Sequence, residues 1–166
     1  ALLQIVFHAL TKDALFLCVG AIIYATGITR VEELQGLSKR MPWTMSMFTI
    51  CAISLVGIPP LGGFISKWYI AEGAVAATLP VQVFSWLVPT VLLVSALLTA
   101  GYLLPPSITA FFDLRQEEDR QVAVVRLKPD WLMVVPILIL TLAIAILGVF
   151  PGFMIDAFSQ LANTLF

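Results

Sequence analysis

Charge is scarce in this chain. Asp, Glu, Lys and Arg make up 11% of 166 residues, hydrophobic residues make up 60%, and the net charge is −1. A mean hydropathy of +1.02 excludes disorder and lies well outside ordinary soluble domains. The few basic residues are scattered and form no nucleic-acid patch. The two cysteines, Cys18 and Cys51, sit in apolar segments without ligand-like spacing, so both read as small packing residues. Cofactor motifs, metal-ligand clusters and nucleophile constellations are missing too, so the chain is expected to carry no catalysis or redox chemistry of its own and to need no cofactor or metal. An initiator Met and a signal peptide with its basic leader are also missing. The chain starts inside an apolar segment, ALLQIVFHAL, as expected of a fragment of a longer polytopic subunit. There is no internal repeat and no low-complexity tract.

What remains is an all-α integral membrane pattern in a single membrane domain, with four expected spans at about 2–26, 43–75, 83–112 and 131–150. The second organises the others. A hydrocarbon core about 30 Å thick is crossed by about 20 helical residues. The apolar run at 43–75 is too long for one straight crossing, and it is interrupted by Gly57-Ile58-Pro59-Pro60-Leu61-Gly62-Gly63. Proline lacks an N–H and clashes with the preceding turn, and glycine takes backbone angles that other residues avoid. The pattern therefore predicts two half-helices with a break at Gly57, Pro59, Pro60, Gly62 and Gly63. Broken backbone at membrane depth survives only where protein or a watery cavity satisfies it, and such breaks often form ion sites in transporters.

Two polar stretches separate the spans on one side. Residues 28–42 hold Arg30, Lys39 and Arg40, and residues 113–130 hold Arg115, Arg120, Arg126 and Lys128. Together they carry seven of the nine Lys and Arg residues. The connection around residue 80 has none. By the positive-inside rule, loops 28–42 and 113–130 are expected to be cytoplasmic, with Trp43 and Trp131 in the belt on that side and Trp86 in the opposite one. Thr29 and Glu32 have the capping-box spacing, which predicts a short interfacial helix there. Pro89 and Pro105-Pro106 interrupt the third span.

The remaining ionisable groups lie inside the spans. His8, Lys12 and Asp13 fall within six positions of the first span, where a charge near the bilayer centre costs about 2.5–3.5 kcal/mol. His8 and Lys12, four apart, share a helical face, and Asp13 is turned about 100° from Lys12. Lys67 falls in the first turn or so of the second half-helix. A lysine so placed can take up and release protons where a compensating group comes and goes, and the carbonyls ending the first half-helix, near Gly57, supply part of that compensation. Ser66 and the Trp68 indole are expected to wall the site. Histidine has an unperturbed pKa near 6.5 and two ring nitrogens, so His8 can pass protons through water. A row of His8, Lys12 and Lys67 would make a relay. The plainer readings are structural: Lys67 paired with a carboxylate elsewhere, Lys12 balanced by Asp13, and His8 as a hydrogen-bonded packing residue. Asp13 reads as an orienting or pairing group, and Glu72 as solvated.

HALTKDALFLCVGAI resembles the His-Ala-x-x-Lys-x-x-Leu-Phe segment of the proton-translocating, antiporter-like subunits of respiratory complex I, membrane-bound hydrogenases and Mrp-type Na+/H+ antiporters. LQGLSKRMPWTMSMFTICAISLVGIPPLGGFISKW is similar to that family's polar loop and its Gly-x-Pro-Pro-x-x-Gly-Phe-x-x-Lys discontinuous helix, and KPDWLMVVPILILTLAIAILGVFPG to its following span. The resemblance implies a second half-channel role for Lys67, a central relay role for Lys12, and His8 as its neighbour one turn before. It implies proton translocation within an ion-pumping redox complex, in a bacterial or archaeal cell membrane. The implied partners are the lipid bilayer, the remaining helices of the same subunit and further membrane subunits. Na+/H+ antiport and a non-conducting structural role stay open. Two departures stand out. Asp13 replaces a small apolar residue, and ALLTAGYLLPPS lacks a basic residue after its tyrosine.

Overall fold

The computed structural model describes residues 2–77, 83–112 and 130–165, and among them it is all helical. The order is α1 (Leu2–Thr26), a 3-10 turn (Val31–Leu34), α2 (Leu37–Arg40), α3 (Pro42–Val56), α4 (Gly62–Ala76), α5 (Val83–Phe111), α6 (Trp131–Val149) and α7 (Gly152–Leu165). Three helices, Leu2–Thr26, Ser85–Phe111 and Trp131–Val149, are long and apolar enough to cross a membrane. At 15 residues each, α3 and α4 are about 22 Å long and individually short of the hydrocarbon core.

The core lies between α1, α3 and α6. Small residues make the close approach possible: Ala14, Cys18 and Ala21 form one stripe of α1, against Met45, Phe48, Cys51 and Ala52 of α3. From α6 the stripe is Ile137, Thr141, Ile144 and Gly148, spaced at one helical face. Two buried hydroxyls bond within their own helices, Thr11 to the Phe7 carbonyl at 2.7 Å and Thr141 to that of Ile137 at 2.8 Å. The buried hydroxyls of Thr44, Ser54 and Ser107 have no hydrogen-bond partner among the described residues. Thr141 also meets the Cys51 thiol at 3.5 Å. The outward faces remain apolar. Leu93, Leu97 and Leu98 of α5 and Ile139 of α6 are all exposed, as lipid-facing residues are.

Several local expectations are corrected here. Gly62 and Gly63 open α4 and do not belong to the break, which is Gly57–Leu61. Lys67, six residues into α4, therefore stands in its second turn. The 3-10 turn starts after Arg30 with no side-chain cap, so Thr29 and Glu32 form no capping box. Pro89, Pro105 and Pro106 lie inside a continuous α5, which loses a few backbone hydrogen bonds to them without ending. Helix α7 turns Met154, Ile155 and Phe158 inward, leaves Phe153, Asp156, Ser159 and Gln160 exposed, and packs on α1. The expected cytoplasmic loop at 113–130 lies outside the described residues apart from Asp130.

Candidate functional site

The end of α3 explains what the break does. A helix leaves its last four carbonyls without intrahelical partners. Gly57 adopts φ 92°, ψ 44°, a left-handed conformation for which glycine is suited. That turn lets the Ile58 N–H reach the Ile53 carbonyl at 3.2 Å and the Gly57 N–H reach that of Ser54 at 3.0 Å, which is the Schellman pattern. The carbonyls of Leu55 and Val56 are left over. Lys67 Nζ donates to both, at 2.9 and 2.8 Å. Its side chain crosses Gly57 so closely that a Cβ there would meet Lys67 Cδ at 3.0 Å and Nζ at 3.2 Å. Lys67 is half-buried.

Glycines bring the other helices onto this point. A Cβ at Gly62 would overlap the Phe7 ring of α1, one at Gly63 the Ser54 carbonyl of α3, and one at Gly148 of α6 the backbone of Leu61 and Gly62. Buried Ser66 donates to Gln4 Oε1 of α1 and contacts its own Gly63 carbonyl at 3.2 Å. Gln4, His8 and Lys12, four apart, form one ascending row on α1.

The structure thus gathers Lys67, Ser66, Gly57, Gly62 and Gly63 at one junction, with Pro59 and Pro60 exposed beside it. His8, Lys12 and Asp13 lie on the open face of α1. Among the described residues no charged side chain is fully buried, and no ion pair joins Lys12 to Asp13. Trp68 turns outward and meets Phe64, with ring centroids 5.8 Å apart, so it does not wall the lysine. Sequence reasoning passed over Gln4, Ser54 and Gly148. Gln4 carried a usable signal, a polar residue one turn before His8 in an apolar span. Gly148 carried none, because its role comes from α6 approaching the break.

The family described as "NADH:quinone oxidoreductase/Mrp antiporter, TM" matches residues 1–93. An NADH-quinone oxidoreductase subunit N of Desulforudis audaxviator is 38% identical over 158 residues, 90% of this chain and 30% of that protein. A Na(+)/H(+) antiporter subunit A1 of Staphylococcus aureus is 29% identical over 168 residues, covering 99% of this chain and 21% of the relative. Another Na(+)/H(+) antiporter subunit, from Bacillus subtilis, is 46% identical over 76 residues, 46% of this chain and 15% of that relative. The chain therefore spans less than a third of the length of each of these relatives. With the helix break, the apolar helices and the matched residues agreeing, the chain belongs to the antiporter-like membrane subunits of the NADH:quinone oxidoreductase/Mrp antiporter family.

Proposed function

We propose that this chain forms part of a proton path, with Lys67 as a carrier and His8 and Lys12 as relay partners. The observation that carries the reading is the pair of hydrogen bonds from Lys67 Nζ to Leu55 and Val56. An ammonium has three N–H donors and a neutral amine has two. Two carbonyls therefore hold the nitrogen in either protonation state, and only the third proton comes and goes. Negative charge at the C-terminal end of α3 offsets part of the ammonium's desolvation. The site can then discharge and recharge without rebuilding the break.

In this reading α3, the break and α4 make one discontinuous crossing. The chain crosses four times, with 28–42 and 113–130 on the cytoplasmic side. Further helices of the same subunit cover His8, Lys12 and Asp13, since a charge facing lipid costs about 2.5–3.5 kcal/mol. The relay serves an ion-pumping assembly of the complex I or membrane-bound hydrogenase type, whose redox chemistry lies on other subunits. The names of the antiporter relatives favour a second reading, Na+/H+ exchange through the same path. The cap that Lys67 places on α3 favours a third, a purely structural lysine. Proton uptake by sealed vesicles bearing the assembled parent complex tests all three. Uptake lost in Lys67→Ala with assembly intact supports the path, Na+-dependent uptake supports exchange, and unchanged uptake sinks the carrier role.

A further inference from the structure

Helix α5 carries Pro105 and Pro106 inside its span. Neither has an N–H, so the carbonyls of Gly101 and Tyr102, one turn earlier, lose the donors that a regular helix would give them. Among the described residues no side chain donates to either oxygen. The nearby hydroxyls are engaged elsewhere or turned away: Thr99 Oγ1 donates to the Ser95 carbonyl at 2.7 Å, and Ser107 Oγ is buried without a partner. Depth makes the loss costly. Gly101 stands four residues past the midpoint of α5, about 6 Å along the axis, within a hydrocarbon half about 15 Å deep. Freed backbone groups at that depth are tolerated where neighbouring helices satisfy them again.

The surface around these carbonyls suits a helix better than lipid. Gly101, Tyr102 and Pro105 are exposed, and a Cβ at Gly101 would meet nothing within 4 Å. Six residues earlier Ser95 is exposed too, and its hydroxyl has no partner among the described residues. Small residues that let backbones approach, beside polar groups that bond across, mark helix contacts in membranes. We propose that the α5 surface of Ser95, Gly101, Tyr102 and Pro105 docks a further transmembrane helix whose side chains donate to the Gly101 and Tyr102 carbonyls. Hydroxyl and carboxamide side chains fit, because they donate hydrogen bonds and stay uncharged in hydrocarbon. An acyl chain has no donor and would leave both carbonyls bare. The inference rests on α5 crossing the membrane and is independent of the proton path.

The test places a photoreactive residue on α5 in the assembled parent complex in its own membrane. Tyr102→p-benzoylphenylalanine is expected to cross-link a transmembrane peptide outside residues 1–166 that carries Ser, Thr, Asn or Gln within one turn of the adduct. Leu93→p-benzoylphenylalanine, half a helical revolution away, should label lipid instead. Adding Gly101→Leu, which meets open space within this chain, should cut the protein adduct at Tyr102 at least five-fold. Gly101→Ala should cut it at least two-fold and gives the readout where the leucine variant does not assemble. Lipid adducts alone at Tyr102, a cross-linked helix without such a donor, or a yield untouched by both Gly101 variants would each overturn the interface. Equal protein labelling at Leu93 and Tyr102 would overturn its placement on this face.

Discussion

Lys67 Nζ stands 2.8 Å from the carbonyl oxygen of Val56, so a side chain of α4 completes the end of α3. The two half-helices are coupled through one nitrogen. Truncating Lys67 consequently removes two things at once, the charge and the cap. Removing the donor leaves the Leu55 and Val56 carbonyls short of a partner, at a cost of about 1–3 kcal/mol for each unsatisfied group.

Gly57→Ala is expected to destabilise the assembled complex. A left-handed backbone costs an L-residue about 1–2 kcal/mol, and the new methyl would press on Lys67 Cδ at 3.0 Å. Thermal unfolding should show a fall in midpoint, with Gly57→Asn falling less because asparagine tolerates that conformation.

Two glycines of α4 should behave oppositely. Gly63→Ala drives a methyl into the Ser54 carbonyl, whereas Gly73 has nothing within 4 Å of the same atom. Assembly should fail for Gly63→Ala and stay within about 1 kcal/mol of the parent for Gly73→Ala. Equal behaviour in a pull-down of the complex would contradict the close packing of α3 against α4.

The Gln4–Ser66 hydrogen bond ties α1 to α4 beside the lysine. Interhelical hydrogen bonds in membranes average about 0.6 kcal/mol and reach about 1.7 kcal/mol. A double-mutant cycle of Gln4→Leu and Ser66→Ala should return a coupling in that range. A coupling of zero would mean that the two side chains do not meet.

Cys18 and Cys51 are fully buried, so maleimides should leave both unlabelled in native membranes and label them after denaturation in detergent. That silence makes a clean background. Glu32→Cys, on the exposed 3-10 turn, should react with an impermeant maleimide in inside-out vesicles and stay unreacted in right-side-out ones. The opposite pattern would invert the proposed topology.

Much of the fold was legible because hydrophobic length and proline or glycine punctuation act locally. The ends of α1, α3, α4 and α6 fall within a residue or two of the apolar boundaries. What stayed hidden was decided between helices. Gly62 and Gly63 read as part of the break because glycine usually marks one, yet here they open α4 so that Phe7 and the Ser54 carbonyl can approach. The capping box at Thr29 failed because Arg30, one residue later, became the start of a tighter 3-10 turn. Helix α7 escaped notice because its apolar face is short and follows a Pro-Gly stop. At the site, a lysine beyond a break was readable, but its two carbonyl partners became apparent only once Gly57 had turned the chain back on itself.

The most direct test separates charge from cap with Lys67→Arg. A guanidinium can still donate to Leu55 and Val56 but does not give up its proton. Proton uptake should be measured in sealed vesicles carrying the assembled complex, with thermal stability followed alongside. The account predicts near-parental stability with uptake reduced at least ten-fold. Parental uptake from a stable Lys67→Arg complex would contradict it and leave Lys67 as the cap of α3 alone.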